Sequence, residues 1–264
     1  IKKHTDLSKI HVIVIDNDSQ DESLDYLRSL SWIELIERKT IPNETPSASH
    51  SRALDLALAK VTTPYVLSIH TDTLIKHPGW LDAMISQLEK DSNTAGVGSW
   101  KLEQSPSIGK RMWKKIEYGI RIAKYTLLGK KKELSLVQSQ KESGYYSISQ
   151  PDNLDFTKKE YYLRSHCALY RMDLIKKYNL CFNTKDKTAG HEMHNILVKN
   201  NHQMIFLSVP FLSKYMVHLN HATMVLHPEL GSKKRNIRKG LKRIKKELQL
   251  INSDKILKDN SLDG

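Results

Sequence analysis

The chain has 264 residues and carries 42 Lys and Arg against 29 Asp and Glu, a formal charge of +13 at pH 7. That length suits one large α/β domain or a domain with an appendage, and the cationic surplus points to an anionic partner: phosphate, a membrane surface or nucleic acid. No apolar run approaches a bilayer span and no signal peptide is visible; the two cysteines, Cys167 and Cys181, lack metal-type spacing and read as reduced thiols of a cytosolic protein. The first residue is Ile1, so the N-terminus reads as trimmed.

Ile10 to Ile15 is a β-branched run, expected as a buried parallel strand. It ends in Asp16-Asn-Asp-Ser-Gln-Asp-Glu-Ser23, a cluster of turn and cap residues, and Ser23 to Leu30 reads as a helix. Trp32 to Ile36 is a second strand, and Thr40 to Ser49 a loop rich in Pro, Ser and Thr. Ser51 to Lys60 carries a helical stripe of Ala53, Leu54, Ala57 and Leu58. Tyr65 to Ile69 is a strand that runs into a polar tip, His70-Thr-Asp72. Leu74 to Trp80 then reads as a turn and Leu81 to Leu88 as a helix. This alternation of strand and helix predicts an α/β fold with a mostly parallel sheet and covering helices. A further strand at Ala95 to Gly98 precedes a looser stretch, residues 101 to 160. It is basic and aromatic, with Met112, Ile116, Ile120, Ala123 and Leu127 at helical spacing: a lid or acceptor-facing insertion, or a surface helix with a solvated basic face.

Regular order returns with a strand at Leu163 to Tyr170, helices at Met172 to Tyr178 and His191 to Asn200, and a strand at Met204 to Val209. Tyr215 to His221 is another polar-tipped segment. The main domain is expected over residues 1 to 230, and a basic tail over 231 to 264. In that tail Ile237, Leu241, Ile244, Leu248 and Ile251 recur every three or four residues, an amphipathic helix with a cationic remainder. Such a helix can lie on an anionic leaflet, pack on its own domain or zip to a partner. Nucleic acid is not expected, since the tail lacks aromatic residues and no groove-reading motif is present.

The residues that could carry chemistry sit at strand ends, where open α/β sheets place their ligands. Asp72, at the tip of an inner strand, can hold a divalent cation, and the cation a diphosphate. His191-Glu192 resembles the start of a zinc-protease helix, but position 195 is Asn, so that reading is rejected.

Three motifs in order carry a family resemblance. Val14-Ile-Asp-Asn-Asp-Ser-Gln-Asp-Glu-Ser23, then Tyr65 to Thr73 with Pro78-Gly-Trp-Leu81, then His166-Cys-Ala-Leu-Tyr-Arg-Met-Asp-Leu174 resemble the nucleotide turn, the metal-site strand and the "R-x-x-L" segment of family 2 glycosyltransferases. The resemblance covers roughly residues 10 to 225. It implies a GT-A fold, a nucleotide-diphosphate sugar donor (a UDP-sugar first), Mn²⁺ or Mg²⁺, and inversion at the anomeric carbon.

The resemblance also assigns roles. Asp16 would accept from a nucleobase N–H, or serve as a turn residue. Asp72 matches the last acid of the family's DxD and would ligate the metal. His70 stands where the first acid is expected, and is either a ligand or a phosphate contact. A late histidine, one of His218 and His221, would complete the metal shell. Arg52 would contact the diphosphate. Glu192, after Gly190, would be the base that takes the acceptor's proton, or an acid placed favourably in a helix's first turn. The family's first strand is not found before Ile10, so the chain starts after it or the sheet edge is abbreviated. The expected function is a sugar transfer in cell-surface glycan assembly, to a glycan or lipid-linked acceptor. The expected place is the cytoplasm, peripheral on the inner leaflet. A degenerate GT-A domain that binds nucleotide or glycan without turnover is the alternative.

Overall fold

The computed structural model describes residues 1–100, 108–146, 161–183, 188–219, 222–226 and 234–263. Two short 3₁₀ turns, Lys2–His4 and Leu7–Lys9, lead into β1 (Ile13–Asp16), α1 (Ser23–Ser29), β2 (Glu34–Glu37), α2 (Pro46–Leu58) and β3 (Tyr65–Ile69). α2 starts at Pro46, inside what reads as a loop. Thr45 Oγ1 accepts the Ala48 N–H at 3.2 Å, and Pro46 takes a first-turn position where its missing N–H costs nothing.

β4 (Thr73–Ile75) occupies the start of the expected turn at Leu74 to Trp80. Three residues are too few to show an alternation, and the partner strand lies far along the chain. There follow α3 (Trp80–Glu89), β5 (Thr94–Gly98), α4 (Ile108–Leu127), α5 (Lys131–Tyr146), β6 (Cys167–Arg171), α6 (Met172–Lys177), α7 (His191–Lys199), β7 (Gln203–Phe206), α8 (Val209–Leu212), β8 (Met216–His218), α9 (Ala222–Leu226), α10 (Lys234–Leu250) and α11 (Ser253–Leu257). β6 begins at Cys167 rather than Leu163. The residues before it turn, closed by the Cys167 N–H on the Arg164 carbonyl at 3.0 Å.

The central sheet has the order β3-β6-β5-β7. β6 is antiparallel to both neighbours, and β5 and β7 are parallel, so β3, β5 and β7 all run one way and β6 alone is reversed. β1 and β2 form a parallel pair, and β4 and β8 an antiparallel one. The reversal of β6 positions the site. Ile69, the last residue of β3, faces Cys167, the first of β6. The residues just after β3 and those just before β6 therefore share one edge.

Both faces of β6 are buried, and its side chains alternate between two cores as a strand's period of two requires. Ala168 and Tyr170 join Leu163, Phe182, Met193 and Leu197 on one side. Cys167 and Leu169 join Trp80, Met84, Leu88, Val97 and Leu212 on the other. Trp80 is 2% exposed and its indole N–H donates to Thr5 Oγ1 at 3.0 Å. Each large apolar side chain buried this way stabilises the fold by about 1.5–3 kcal/mol.

The tail packs on its own domain. Ile244 of α10 is buried with Leu219, Ala222 and Val225, and Leu74 of β4 and Leu248 pack against that cluster. Gly240 lies so close to Val225 that a Cβ would meet that side chain. The tail's apolar stripe thus braces the β4–β8 pair, while Arg238, Lys239, Lys242, Lys245 and Lys246 stay outside that buried cluster.

Candidate active site

Backbone hydrogen bonds hold the tip after β3. The His70 N–H donates to the His166 carbonyl at 3.4 Å, the Thr73 N–H to the His70 carbonyl at 3.0 Å, and the Leu219 N–H to the Asp72 carbonyl at 2.9 Å. The tip is thereby tied to the turn before β6 on one side and to the end of β8 on the other. Thr73 also faces His218 in the β4–β8 ladder. Three segments remote in sequence meet at one edge.

Their side chains converge. His218 Nε2 lies 2.9 Å from Asp72 Oδ1, and His70 Nδ1 lies 4.0 Å from the same oxygen. One ligand-type atom from each of His70, Asp72 and His218 falls within 4.8 Å of the other two. The His218 side chain is 10% exposed and that of His70 35%, so the cluster is open from the His70 side.

Two more histidines adjoin it. The His166 ring centre is 5.2 Å from that of His218 and 5.9 Å from that of His70, and His50 of α2 stands edge-on to His70 at 5.1 Å. The Ser165 hydroxyl sits 2.9 Å from His50 Nε2 and 3.4 Å from His70 Nε2. It engages the ring nitrogen of His70 other than the one nearest Asp72. His166 Nε2 is buried and has no hydrogen-bond partner among the described residues.

The electrostatics favour neutral imidazoles at His70 and His166 beside one ionised carboxylate. Burial, with the neighbouring His50 next, pushes His70 down to about 4 against the pull of Asp72. Burial, then His218, His70 and Arg164, pushes His166 to about 3. Burial alone would raise the Asp72 carboxyl, but the hydrogen bond and charge of His218, with His70 and the Ala222 N–H, bring it below the usual carboxylate range. Uncharged imidazoles and an ionised carboxylate are the forms that bind metal ions.

Of the two late histidines, His218 is in the cluster; His221 lies outside the described residues. Asp16 is 5% exposed at the end of β1, and its Oδ2 accepts the Ser19 N–H at 3.1 Å, so it holds its own turn. Asp18 adopts a left-handed backbone and ties Lys39 and Thr40 to that turn, with Oδ1 2.9 Å from Lys39 Nζ. Arg52 is on α2, two residues from His50, and positions two apart on a helix diverge. Its guanidinium instead pairs with Glu44, 2.8 Å away, which also binds the buried Arg38.

Glu192 lies in the first turn of α7, after Gly190 in the left-handed region at φ 79°. Its neighbour His191 packs edge-on against Tyr162 at 4.7 Å, and the Arg164 guanidinium lies 4.5 Å from the centre of the same ring. The start of α7 is thus anchored to the turn that carries Ser165 and His166. Sequence reasoning did not assign His50, Ser165 or His166 to the site. Only the reversal of β6 brings His166 opposite His70, and the sequence offers no spacing that marks it.

The model of Glycosyl transferase family 2 matches residues 1–178, more than half of the chain. No curated protein gives a significant match. Among solved structures, the chain is similar to the mannosyltransferase PcManGT from Pyrobaculum calidifontis, in complex with GDP-Man and Mn²⁺ (TM-score 0.45, 16% identity, 77% of this chain and 47% of that one). It is also similar to S. aureus TarS 1-349 (TM-score 0.45, 15% identity, 80% and 52%). A third is glucosyl-3-phosphoglycerate synthase from Mycobacterium tuberculosis, in complex with Mn²⁺, UDP and glucosyl-3-phosphoglycerate (TM-score 0.42, 18% identity, 89% and 68%). The chain spans about half the length of the first two. With the three sequence motifs falling on β1, β3 and β6 in order, and a family match running unbroken across all of them, the chain belongs to glycosyl transferase family 2.

Proposed function

We propose that this chain transfers a sugar from a nucleotide-diphosphate sugar to an acceptor, with inversion, using a divalent cation held by Asp72, His218 and His70. The observation that carries this reading is the meeting of those three side chains at strand ends of a family 2 chain. The donor set fits such an ion: one carboxylate oxygen and two imidazole nitrogens approach one another, and the His70 imidazole is neutral. A cation bound there would supply the positive charge that steadies the departing diphosphate.

The chain's own residues do the rest. His218 keeps Asp72 ionised, and Ser165 fixes the ring of His70. Asp16, buried at the end of β1, accepts from the nucleobase through the oxygen that Ser19 leaves free to do so. Arg52 turns from Glu44 to the diphosphate when the donor arrives. Glu192, on the anchored first turn of α7, takes the proton of the acceptor hydroxyl. A UDP-sugar donor and a glycan or lipid-linked acceptor of cell-surface glycan assembly complete the reading. The net charge of +13 and the cationic residues of α10 support work at the anionic cytoplasmic leaflet.

Donor hydrolysis across a panel of UDP- and GDP-sugars, with Mn²⁺ and with chelator, tests this. Chelation and Asp72→Ala should each reduce turnover about a hundredfold or more, since several kcal/mol of leaving-group stabilisation are removed. Unchanged turnover in Asp72→Ala would remove the cation's role. Nucleotide binding by calorimetry without product from any donor would leave a binding domain in place of an enzyme.

A further inference from the structure

We propose that α4 lies along the surface of an anionic phospholipid bilayer, with Met112, Trp113, Ile116, Ile120 and Leu127 set into the lipid. The inference rests on the leaflet reading above and deepens it: it names the apolar surface that enters the lipid, which the cationic tail does not supply.

Two amphipathic helices are candidates, and their apolar stripes differ. That of α10 is committed to its own domain, where Ile244 is buried with Leu219, Ala222 and Val225. The stripe of α4 is uncovered. Met112, Trp113, Ile116, Ile120 and Leu127 are all exposed, Trp113 at 70% and Leu127 at 87%. At about 100° per residue these five fall within one arc of about 100° around the helix. Tyr118, Ile122 and Tyr125, which are half-buried, fall on the opposite side. α5 packs along α4, so one apolar face of α4 is used and the other is left open. From Met112 to Leu127 the open stripe runs about 22 Å, at about 1.5 Å per residue. A contiguous apolar surface of that kind marks an interaction site.

Charge selects the partner. Between residues 112 and 138 the α4–α5 pair carries seven Lys and Arg against two Glu. Lys115 and Lys124 border the stripe on its two sides, and Lys130, Lys131 and Lys132 stand exposed where α4 gives way to α5. A second copy of this chain would bring like charge against like. An anionic leaflet answers both features at once, with headgroups for the lysines and acyl chains for the stripe. The lysine stems reach from apolar depth to the headgroups, and the Trp113 indole suits the boundary between them. Among the described residues no helix is long and apolar enough to cross a membrane, so α4 lies in the plane of the interface. Stable attachment of this kind takes two signals. α10 supplies charge, and α4 supplies charge with an apolar stripe.

Co-sedimentation of the whole chain with vesicles of mixed phosphatidylcholine and phosphatidylglycerol tests the proposal. Combining Trp113→Gln, Ile116→Gln and Ile120→Gln should lower vesicle partitioning about tenfold or more. Gln is a good helix former and the three sites are exposed, so melting and donor hydrolysis in solution should not change. Brominated acyl chains should quench tryptophan emission on binding. Trp113→Phe should remove most of that quenching while the chain stays on the vesicles, and this arm stands even if the triple variant misfolds. Unchanged partitioning in a folded triple variant, or bound parent chain without quenching, overturns the proposal. If charge reversal on α10 still releases that chain, the leaflet reading survives without it. A parent chain that ignores anionic vesicles refutes both. Self-association of the parent without lipid, seen by analytical ultracentrifugation and lost in the triple variant, gives the stripe to a second copy and also overturns the proposal.

Discussion

Gly98→Ala should damage the fold and the site together. Gly98 ends β5 and pairs with Ala168 of β6. A Cβ there would stand 3.0 Å from Ala168 Cα and 3.2 Å from the Cys167 carbonyl carbon, and closer still to the Cys167 oxygen. All three are backbone atoms of a ladder, so no rotamer change relieves the contact. The same oxygen accepts the Ser99 N–H at 3.0 Å, and His166 is the next residue back. Overpacking costs about 1–3 kcal/mol, and a rigid backbone neighbour argues for the upper end. At about 2–4 °C per kcal/mol for a chain near this size, the melting midpoint falls by roughly 6–12 °C. Two other glycines calibrate the result. Gly96→Ala would bring a Cβ to 2.8 Å from Met204 Cε, 2.9 Å from Tyr170 Cδ1 and 3.1 Å from Leu163 Cδ1, all side-chain atoms rather than backbone, and should cost about 1–2 kcal/mol, less than Gly98→Ala. Gly119, within α4, has nothing within 4 Å, so Gly119→Ala should stabilise the helix by up to about 1 kcal/mol. Thermal and urea unfolding of the three variants, with Mn²⁺ titration of each, is the assay. If Gly98→Ala melts within about 2 °C of the parent, less than 1 kcal/mol is at stake and the claim of an unyielding β5–β6 contact is wrong.

Three further expectations concern His194, Ser165 and the cationic face of α10. His194 is 2% exposed, accepts the Leu163 N–H on Nδ1 at 3.3 Å, and is pushed by burial, then by His191, down to about 4. Its folded value lies below its unfolded value, so the folded chain binds fewer protons between the two. Stability is whole above about pH 6.5 and falls by about 3 kcal/mol as pH drops toward 4. Urea midpoints across that range should decline less steeply in His194→Gln, and parallel slopes would contradict the assignment. Ser165→Ala removes the hydroxyl that orients His70 and should lower divalent-ion affinity about tenfold with little change in melting; equal affinity by calorimetry would deny Ser165 a positioning role. Reversing the charge of Lys239, Lys242 and Lys245 on α10 should release the chain from vesicles rich in anionic lipid while leaving donor hydrolysis intact. Undiminished sedimentation with those vesicles would end the leaflet proposal.

Much of the fold is legible because its signals are local. Tyr65 to Ile69 reads as a strand and is one, and Asp72 comes after it at the position where a ligand is expected. The tail's four-three spacing announces a helix, although only the packing of Ile244 against Val225 shows where the stripe goes. The hidden part is non-local. β4 is three residues long and is defined by pairing with β8, so Leu74 and Ile75 read as part of a turn. The start of α2 hides behind Pro46 because a proline that opens a helix looks the same in sequence as one that ends a loop. His50 and His166 come from segments on opposite sides of the insertion, and nothing in one predicts the other. Arg52 shows the converse. A basic residue near a nucleotide turn invites a phosphate, but Glu44, eight residues earlier, pairs with it.

The backbone clasp at Ser99 and Arg164 has an evolutionary implication. The Arg164 N–H donates to the Ser99 carbonyl at 2.9 Å, so the two ends of the long stretch between them are held side by side. Loop closure depends only weakly on length once the ends are fixed. A lineage can therefore lengthen or trim the chain between Trp100 and Tyr161, which themselves pack on the core, without renegotiating the strands that hold His166 and Asp72 in place.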